Sequence, residues 1–311
     1  MAKYAIVGGA GFIGSHFVDV LASKGNEVLV IDNFCSGSVD RVSKHYGKEF
    51  FRIENRDAAD TPGLTELFGD VNTVIHLASN PDIALAASNP RIDFLQGTAL
   101  TESVLEAVRL AGVSTVLYAS GSGVYKSSGL EPISEDSQLM SISTYGASKL
   151  AGESLLSAYN FMFGIRAIAF RFANVVGPRQ THGVGYDFMR KLKKDSSKLQ
   201  ILGDGSQTKS YIDVLDVVEA VLHVEEKMGT NFDVFNVSTP DYITVREIAE
   251  LAVEASGLHL DDVEFEFGQS DRGWKADVPK IYLDSSKIRR QGWDSKLSSR
   301  EAVWSALQTM K

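Results

Sequence analysis

Short β-branched runs separated by longer amphipathic stretches fill the first half of the chain. Nearly continuous apolar segments at 4–7, 27–31, 49–53, 71–77, 115–119 and 166–172 predict strands covered on both faces. Between them, apolar residues recur at three- and four-residue spacing over 12–24, 90–111 and 145–163, which predicts helices. Such alternation specifies an α/β fold, a doubly wound parallel sheet with crossover helices. After Ala173 the texture changes: Gly177-Pro178, Gly183 and Gly203-Asp204-Gly205 punctuate shorter elements, the pattern of a smaller interleaved α/β domain. The expected boundaries are 1–173 with 210–231 for the sheet domain, and 174–209 with 232–311 for the smaller one. No internal repeat or low-complexity tract interrupts this plan.

Composition narrows the partners. No segment reaches the roughly 18 uninterrupted apolar residues of a membrane span, and the chain opens directly into the strand pattern Lys3 to Val7 with no apolar leader. A cytoplasmic protein without a membrane partner is expected. One cysteine, Cys35, allows neither an internal disulfide nor a thiolate cluster. A formal net charge of −9 argues against nucleic acid, which is bound by basic surfaces. Any phosphate-bearing ligand must therefore be held by local devices.

One such device follows the first strand. Gly8-Gly9-Ala10-Gly11-Phe12-Ile13-Gly14 joins it to the first helix, so that its glycines turn tightly and backbone N–H groups reach a pyrophosphate. The Gly-x-x-Gly-x-x-Gly spacing is one residue wider than the commoner Gly-x-Gly-x-x-Gly form. Asp32 ends the second strand about 20 residues on, where a carboxylate binds both ribose hydroxyls and repels a 2′-phosphate. Together they point to NAD as cofactor.

A second constellation is Tyr145-Gly146-Ala147-Ser148-Lys149. Its four-residue spacing puts phenol and ammonium on one helix face, where a neighbouring cation favours the phenolate and makes Tyr145 an acid/base. Ser120 and Tyr125, after the fifth strand, are expected with Tyr145 at the carboxyl edge of the sheet, where ligands bind. His76 and His182 lack a third ligand at useful spacing, so no metal is expected.

These stretches, with Asp32-Asn33-Phe34, His76-Leu77-Ala78, Val124-Tyr125, Arg171 through Arg179, Gly203-Asp204-Gly205 and Asp271-Arg272-Gly273-Trp274, resemble the extended short-chain dehydrogenase/reductase family, and most closely its NAD-dependent UDP-sugar 4-epimerase branch. The resemblance implies a Rossmann sheet and epimerisation of a UDP-hexose through a transient 4-keto sugar. In that chemistry the tyrosine takes the 4-hydroxyl proton and NAD exchanges a hydride with C4. It implies Tyr145 and Lys149 as catalytic residues, with Ser120 and Ser122 beside them. It implies a cofactor surface drawn from Gly8, Gly11, Phe12, Ile13, Gly14, Asp32, Asn33, Ser36, Gly37, Glu54, Asn55, Leu77 and Ala78 together with Tyr145 and Lys149. On the substrate side it implies Ser122, Tyr145, Asn174, His182, Lys209 and Arg272, with the strand 198–202 beside the uracil. A homodimer is implied too, through the helices at 90–111 and 145–163.

The chain departs from that pattern. Gly121 and Gly123 stand where hydroxyl side chains are expected, and alternation along an extended segment would turn Ser120 and Ser122 the other way. Three readings are open: a backbone change brings Ser122 inward, the loss slows an otherwise ordinary epimerase, or the cleared space serves a bulky sugar. Glu54 replaces an Asp, Gly97 an Asn, Lys126 a Gly and Lys209 an Arg. Ile281 replaces a larger Tyr, which implies room for an N-acetyl group. A dehydratase would need an Asp-Glu pair where Ser122 and Gly123 stand. A NAD-binding protein without catalysis is the alternative of a different class, and the intact Tyr145 and Lys149 oppose it.

Overall fold

In the computed structural model, which describes residues 1–126, 131–227, 229–273 and 278–310, the apolar runs form β1 (Lys3–Val7), β2 (Glu27–Asp32), β3 (Phe51–Asn55), β4 (Thr73–His76), β5 (Thr115–Gly121) and β6 (Arg166–Phe172). A seventh strand, Phe232–Val237, extends the sheet beside β6; the remaining order is β6-β5-β4-β1-β2-β3. The sequence reading lacked this strand, because Asp233 and Asn236 break its apolar run and leave no clear period. β1 is central: it pairs in parallel with β2 (Ala5↔Leu29) and with β4 (Ala5↔Val74). The strand order reverses at β1, so the ends of β1 and β4 diverge where a doubly wound sheet binds its ligand.

The helices are set by local signals. Ser143 caps the helix Thr144–Phe163 by accepting from Gly146 N–H at 3.0 Å, and Gly164 stops it with φ 74°. The segment expected as one helix over 90–111 is three pieces: Arg91–Asp93, a π-helical turn Phe94–Ala99, and Leu100–Ala111, ended by Gly112 at φ 75°. Side-chain periodicity does not distinguish a π turn from an α turn, so the sequence shows none of this.

The chain divides into two compact units: Met1–Val124 with Ser143–Arg171 and Val221–Phe235, and Tyr125–Ile142 with Phe172–Ala220 and Asn236–Lys311. In the first, Ala5, Val7, Leu29, Ile31, Val74 and Val116 of the sheet pack with Leu64, Phe68, Val104, Leu105, Val108 and Leu156 of the helices. Each fully buried Val, Leu or Phe contributes roughly 1.5–3 kcal/mol. In the second, Phe188, Leu192, Leu199, Ile201, Ile248, Leu251, Val303 and Leu307 form a separate core. Among the described residues no helix is long and apolar enough to cross a membrane.

Candidate active site

The glycine turn is as tight as its composition requires. Gly8 has φ +84°, and a Cβ on it would stand 2.9 Å from Ala78 N; one on Gly14 would fall 2.3 Å from Gly8 O. Both Leu77 and Ala78 donate their N–H to Val7 O, at 2.9 and 3.0 Å, which draws the end of β4 against the turn. Gly11 then begins the helix Phe12–Ser23 with no side-chain cap and no acidic residue in the first turn. The leading amides, those of Phe12, Ile13 and Gly14, face outward at a positive helix end, which is the donor set a pyrophosphate needs.

Asp32 ends β2 and is 8% exposed. Its carboxylate accepts from Ala10 N–H at 2.9 Å and Phe34 N–H at 2.8 Å. Burial pushes its carboxyl up from the ordinary value, against those two amides and the nearby Arg41. Gly37 is confined to glycine by the same carboxylate, since a Cβ would stand 2.6 Å from Asp32 Oδ1. Ser36 O accepts from Arg41 Nη1 at 3.3 Å, and Asn33 Nδ2 donates to Asp57 Oδ2 at 2.9 Å. Asn55 is the register partner of Asp32, whereas Glu54 turns to Arg52 on the same strand, 3.0 Å away. Turn, carboxylate and neighbouring strand ends together fit an NAD.

The Tyr-Lys pair lies on the helix Thr144–Phe163. Lys149, 3% exposed, donates to Ala119 O at 2.8 Å, and its Nζ lies 5.5 Å from the centre of the Tyr145 ring and 5.2 Å from that of Tyr118. Burial pulls the ammonium down to about 8, opposed by Asp93. Burial likewise pushes the phenol up to about 12; Ser79, which hydrogen-bonds it, lowers it and Asp93 raises it. The expected phenolate is thus not what the protein alone favours, because burial outweighs the Ser79 hydrogen bond.

Around β5 the structure corrects two expectations. Ser120 is 4% exposed and donates to Glu153 Oε1 at 2.5 Å, inside a buried ion pair in which Arg171 Nη2 meets Glu153 Oε2 at 2.6 Å. Its hydroxyl serves that pair and not the phenol. The alternation that would turn Ser122 outward ends at Gly121, since Ser122–Val124 is a 3-10 turn. A Cβ on Gly123 would meet Gly146 Cα at 3.5 Å and Tyr145 Cδ1 at 3.9 Å, ordinary contacts, so glycine here leaves real space beside the tyrosine. Tyr125 is fully buried and donates to Asn236 Oδ1 at 2.9 Å, a packing role.

The second unit holds the residues expected on the substrate side. Asn174 opens the strand Asn174–Val176 and donates from Nδ2 to Ser210 O at 3.3 Å. Lys209 pairs in register with Ile281, which is 5% exposed. Gly203, at φ +80°, lies so near the Arg272 backbone that a Cβ would be 3.1 Å from its carbonyl carbon. The strand Lys198–Ile201 pairs in parallel with Glu264–Phe267. His182 is exposed, two residues before the helix Val184–Lys194. Trp274 lies outside the described residues. His76 bonds Thr101 Oγ1 at 3.1 Å, and burial pulls it down to about 3, so it is a neutral core residue. No group of three or more metal-ligating side chains exists among the described residues.

Four participants escaped the sequence reading: Ser79, Asn80, Asp93 and Glu153. Only Ser79 carried a local signal, its place directly after His76-Leu77-Ala78 at the end of a buried strand.

A doubly wound sheet with a glycine turn, a carboxylate at the end of its second strand and a Tyr-Lys pair on one helix face defines an NAD-dependent enzyme of the short-chain dehydrogenase/reductase kind. The chain belongs to the NAD dependent epimerase/dehydratase family, whose profile it matches over residues 4–238. It is 31% identical over 306 residues to a UDP-glucose 4-epimerase of Mycolicibacterium smegmatis, spanning 96% of this chain and 95% of that one. A solved UDP-galactose 4-epimerase superposes with a TM-score of 0.87 at 36% identity, covering 99% of this chain and 98% of the other. The UDP-glucose 4-epimerase of Thermotoga maritima, solved with UDP-glucose, does so with a TM-score of 0.88 at 29% identity and the same coverage.

Proposed function

We propose that this protein is a UDP-sugar 4-epimerase that interconverts UDP-glucose and UDP-galactose and also accepts UDP-N-acetylhexosamines. The carrying observation is the half-buried Tyr145 beside the buried Lys149 on the helix that packs against β5, in the same unit as the glycine turn and Asp32. Bound NAD supplies a hydride acceptor and donor. Its pyrophosphate would be held by the amides of Phe12, Ile13 and Gly14, and its ribose by Asp32. Tyr145 holds the proton of the sugar 4-oxygen: the phenolate accepts it as the 4-keto sugar forms and returns it afterwards, so protons balance and no net oxidation results. Lys149 supplies the positive charge that offsets the phenolate.

Asn174, Lys209 and Arg272 are assigned to the nucleotide diphosphate and His182 to the substrate entrance. The space beside Gly123 and the modest bulk of Ile281 support room for an N-acetyl group. Two copies are assigned to the working enzyme, on the apolar surface of the helices Leu100–Ala111 and Thr144–Phe163.

Purified protein mixed with UDP-glucose is expected to yield UDP-galactose, and Tyr145→Phe to stop it. UDP-N-acetylglucosamine is expected to turn over in a parallel assay. Failure with the acetylated sugar alone would remove the wider specificity, while failure with both would remove the epimerase reading.

A further inference from the structure

Asp93 is a buried carboxylate for which the chemistry above has no use. It is 1% exposed and ends the short helix Arg91–Asp93, directly before the π turn Phe94–Ala99. Oδ2 accepts from Thr144 Oγ1 at 2.6 Å, and Oδ1 from Asn80 Nδ2 at 2.8 Å. These partners flank the reacting pair. Thr144 immediately precedes Tyr145 in the helix that also carries Lys149. Asn80 immediately follows Ser79, the hydrogen-bond partner of the phenol. Asn80 is itself fixed: it is 3% exposed, donates to Asp82 O at 2.9 Å and accepts from Asp82 N–H at 3.0 Å.

The π turn meets the same helix a second time. A Cβ on Gly97 would stand 2.5 Å from Ser148 Oγ, so this turn and the Tyr145 helix are fitted closely to each other. Such widened turns are rare in helices and are frequently found at functional sites.

We propose that Asp93 is a positioning residue of this enzyme, an anionic bracket that fastens the loop after β4 to the first turn of the Tyr145 helix and so fixes Ser79, the phenol and the Lys149 ammonium in one arrangement. Its kinetic consequences rest on the epimerase reading; the bracket itself does not. The titratable groups that feel its charge are Tyr145 and Lys149 on the helix; His76 at the end of β4 is neutral, and Asp82 and Arg91 are exposed. A negative charge at Asp93 makes the phenol harder to ionise and the ammonium harder to deprotonate. Removing it moves both ionisations to lower pH.

Asp93→Asn keeps an acceptor for Thr144 and removes the charge. In this variant both limbs of the kcat/KM–pH profile for the UDP-sugar are expected to move to lower pH, with kcat down roughly tenfold through lost alignment. Tyrosinate absorbance, read against the same protein carrying Tyr145→Phe, gives the phenol ionisation without turnover, and it too is expected at lower pH. Thr144→Val and Asn80→Ala each remove one of the two bonds to Asp93, the second also both bonds to Asp82, and keep the charge, so kcat falls while the limbs stay. The proposal is overturned if Asp93→Asn loses activity evenly with both limbs and the phenol titration unmoved, or, should that variant not fold, if Thr144→Val and Asn80→Ala both keep the unmodified kcat. Absence of sugar turnover in the unmodified enzyme would instead sink the epimerase reading, and the phenol titration would still decide the role of Asp93.

Discussion

Lys149 is asked to be both buried and charged. At 3% exposure it loses most of its hydration, and one carbonyl, Ala119 O at 2.8 Å, returns only part of it. Its ionisation falls from 10.5 in the unfolded chain to about 8 in the fold, so at pH 7 it is still an ammonium but a costly one. A depressed folded value means that the unfolded chain binds more protons between pH 8 and 10.5. Stability from this site is therefore complete above 10.5 and lost as pH falls through 8. The loss is about 3 kcal/mol at pH 7. Lys149→Met is accordingly expected to abolish turnover and to raise stability relative to the unmodified protein most below pH 8, with the advantage shrinking toward pH 10.5. Urea unfolding at pH 7 and pH 10 checks this, and an advantage that grew with pH would contradict it. At this scale the sequence was legible where chemistry and spacing coincide, as in Gly8 to Gly14, Asp32, Tyr145 and Lys149. It was silent on Asp93 and Asn80, because a carboxylate 52 positions before the tyrosine becomes its neighbour only once the sheet brings two separate crossovers together.

Between elements, a buried ion pair of Glu153 and Arg171 fastens the first unit. Glu153 lies on the Tyr145 helix and Arg171 on β6; Ser120 on β5 shares Glu153 Oε1, so one carboxylate ties a helix to two strands. Both charged side chains are at most 5% exposed. Removing either partner leaves an uncompensated buried charge, which costs roughly 3–5 kcal/mol. Glu153→Leu and Arg171→Met should each lower the unfolding free energy by that order, and the two combined should cost less than the two single changes summed. A strictly additive double-mutant cycle in denaturant unfolding would refute the coupling. The helix and strands joined here were readable as elements, since continuous apolar runs and three-four spacing are local properties. Their fastening was not: Ser120 read as a catalytic hydroxyl because its strand ends at the ligand edge, and only the side-chain direction shows that it serves Glu153. The π turn and the strand Phe232–Val237 escaped for a related reason, as neither leaves a clean period in the polar and apolar pattern.

At the scale of the molecule, a protein with a net charge of −9 repels copies of itself unless a surface offsets that repulsion. The first unit has such a surface. Phe161 is 91% exposed, Met162 67%, Phe94 56% and Leu110 53%, all on or beside the helices Leu100–Ala111 and Thr144–Phe163. Isolated exposed apolar residues are ordinary, but several large ones on adjoining helices mark an interaction surface. A second copy is a self-complementary occupant, since helices packed across a two-fold axis present the same apolar side chains to each other. A stable interface of that kind covers about 800 Å² on each partner, which two helices of this length can supply. Unmodified protein is therefore expected to sediment at twice its 33.8 kDa mass. Phe161→Glu combined with Leu110→Lys should shift it to the monomer while leaving the NAD content of the purified protein unchanged, because neither residue belongs to the glycine turn or to the Tyr-Lys pair. Sedimentation velocity on both proteins decides the matter: a monomeric unmodified enzyme, or a variant that stays dimeric, would place the contact elsewhere or remove it.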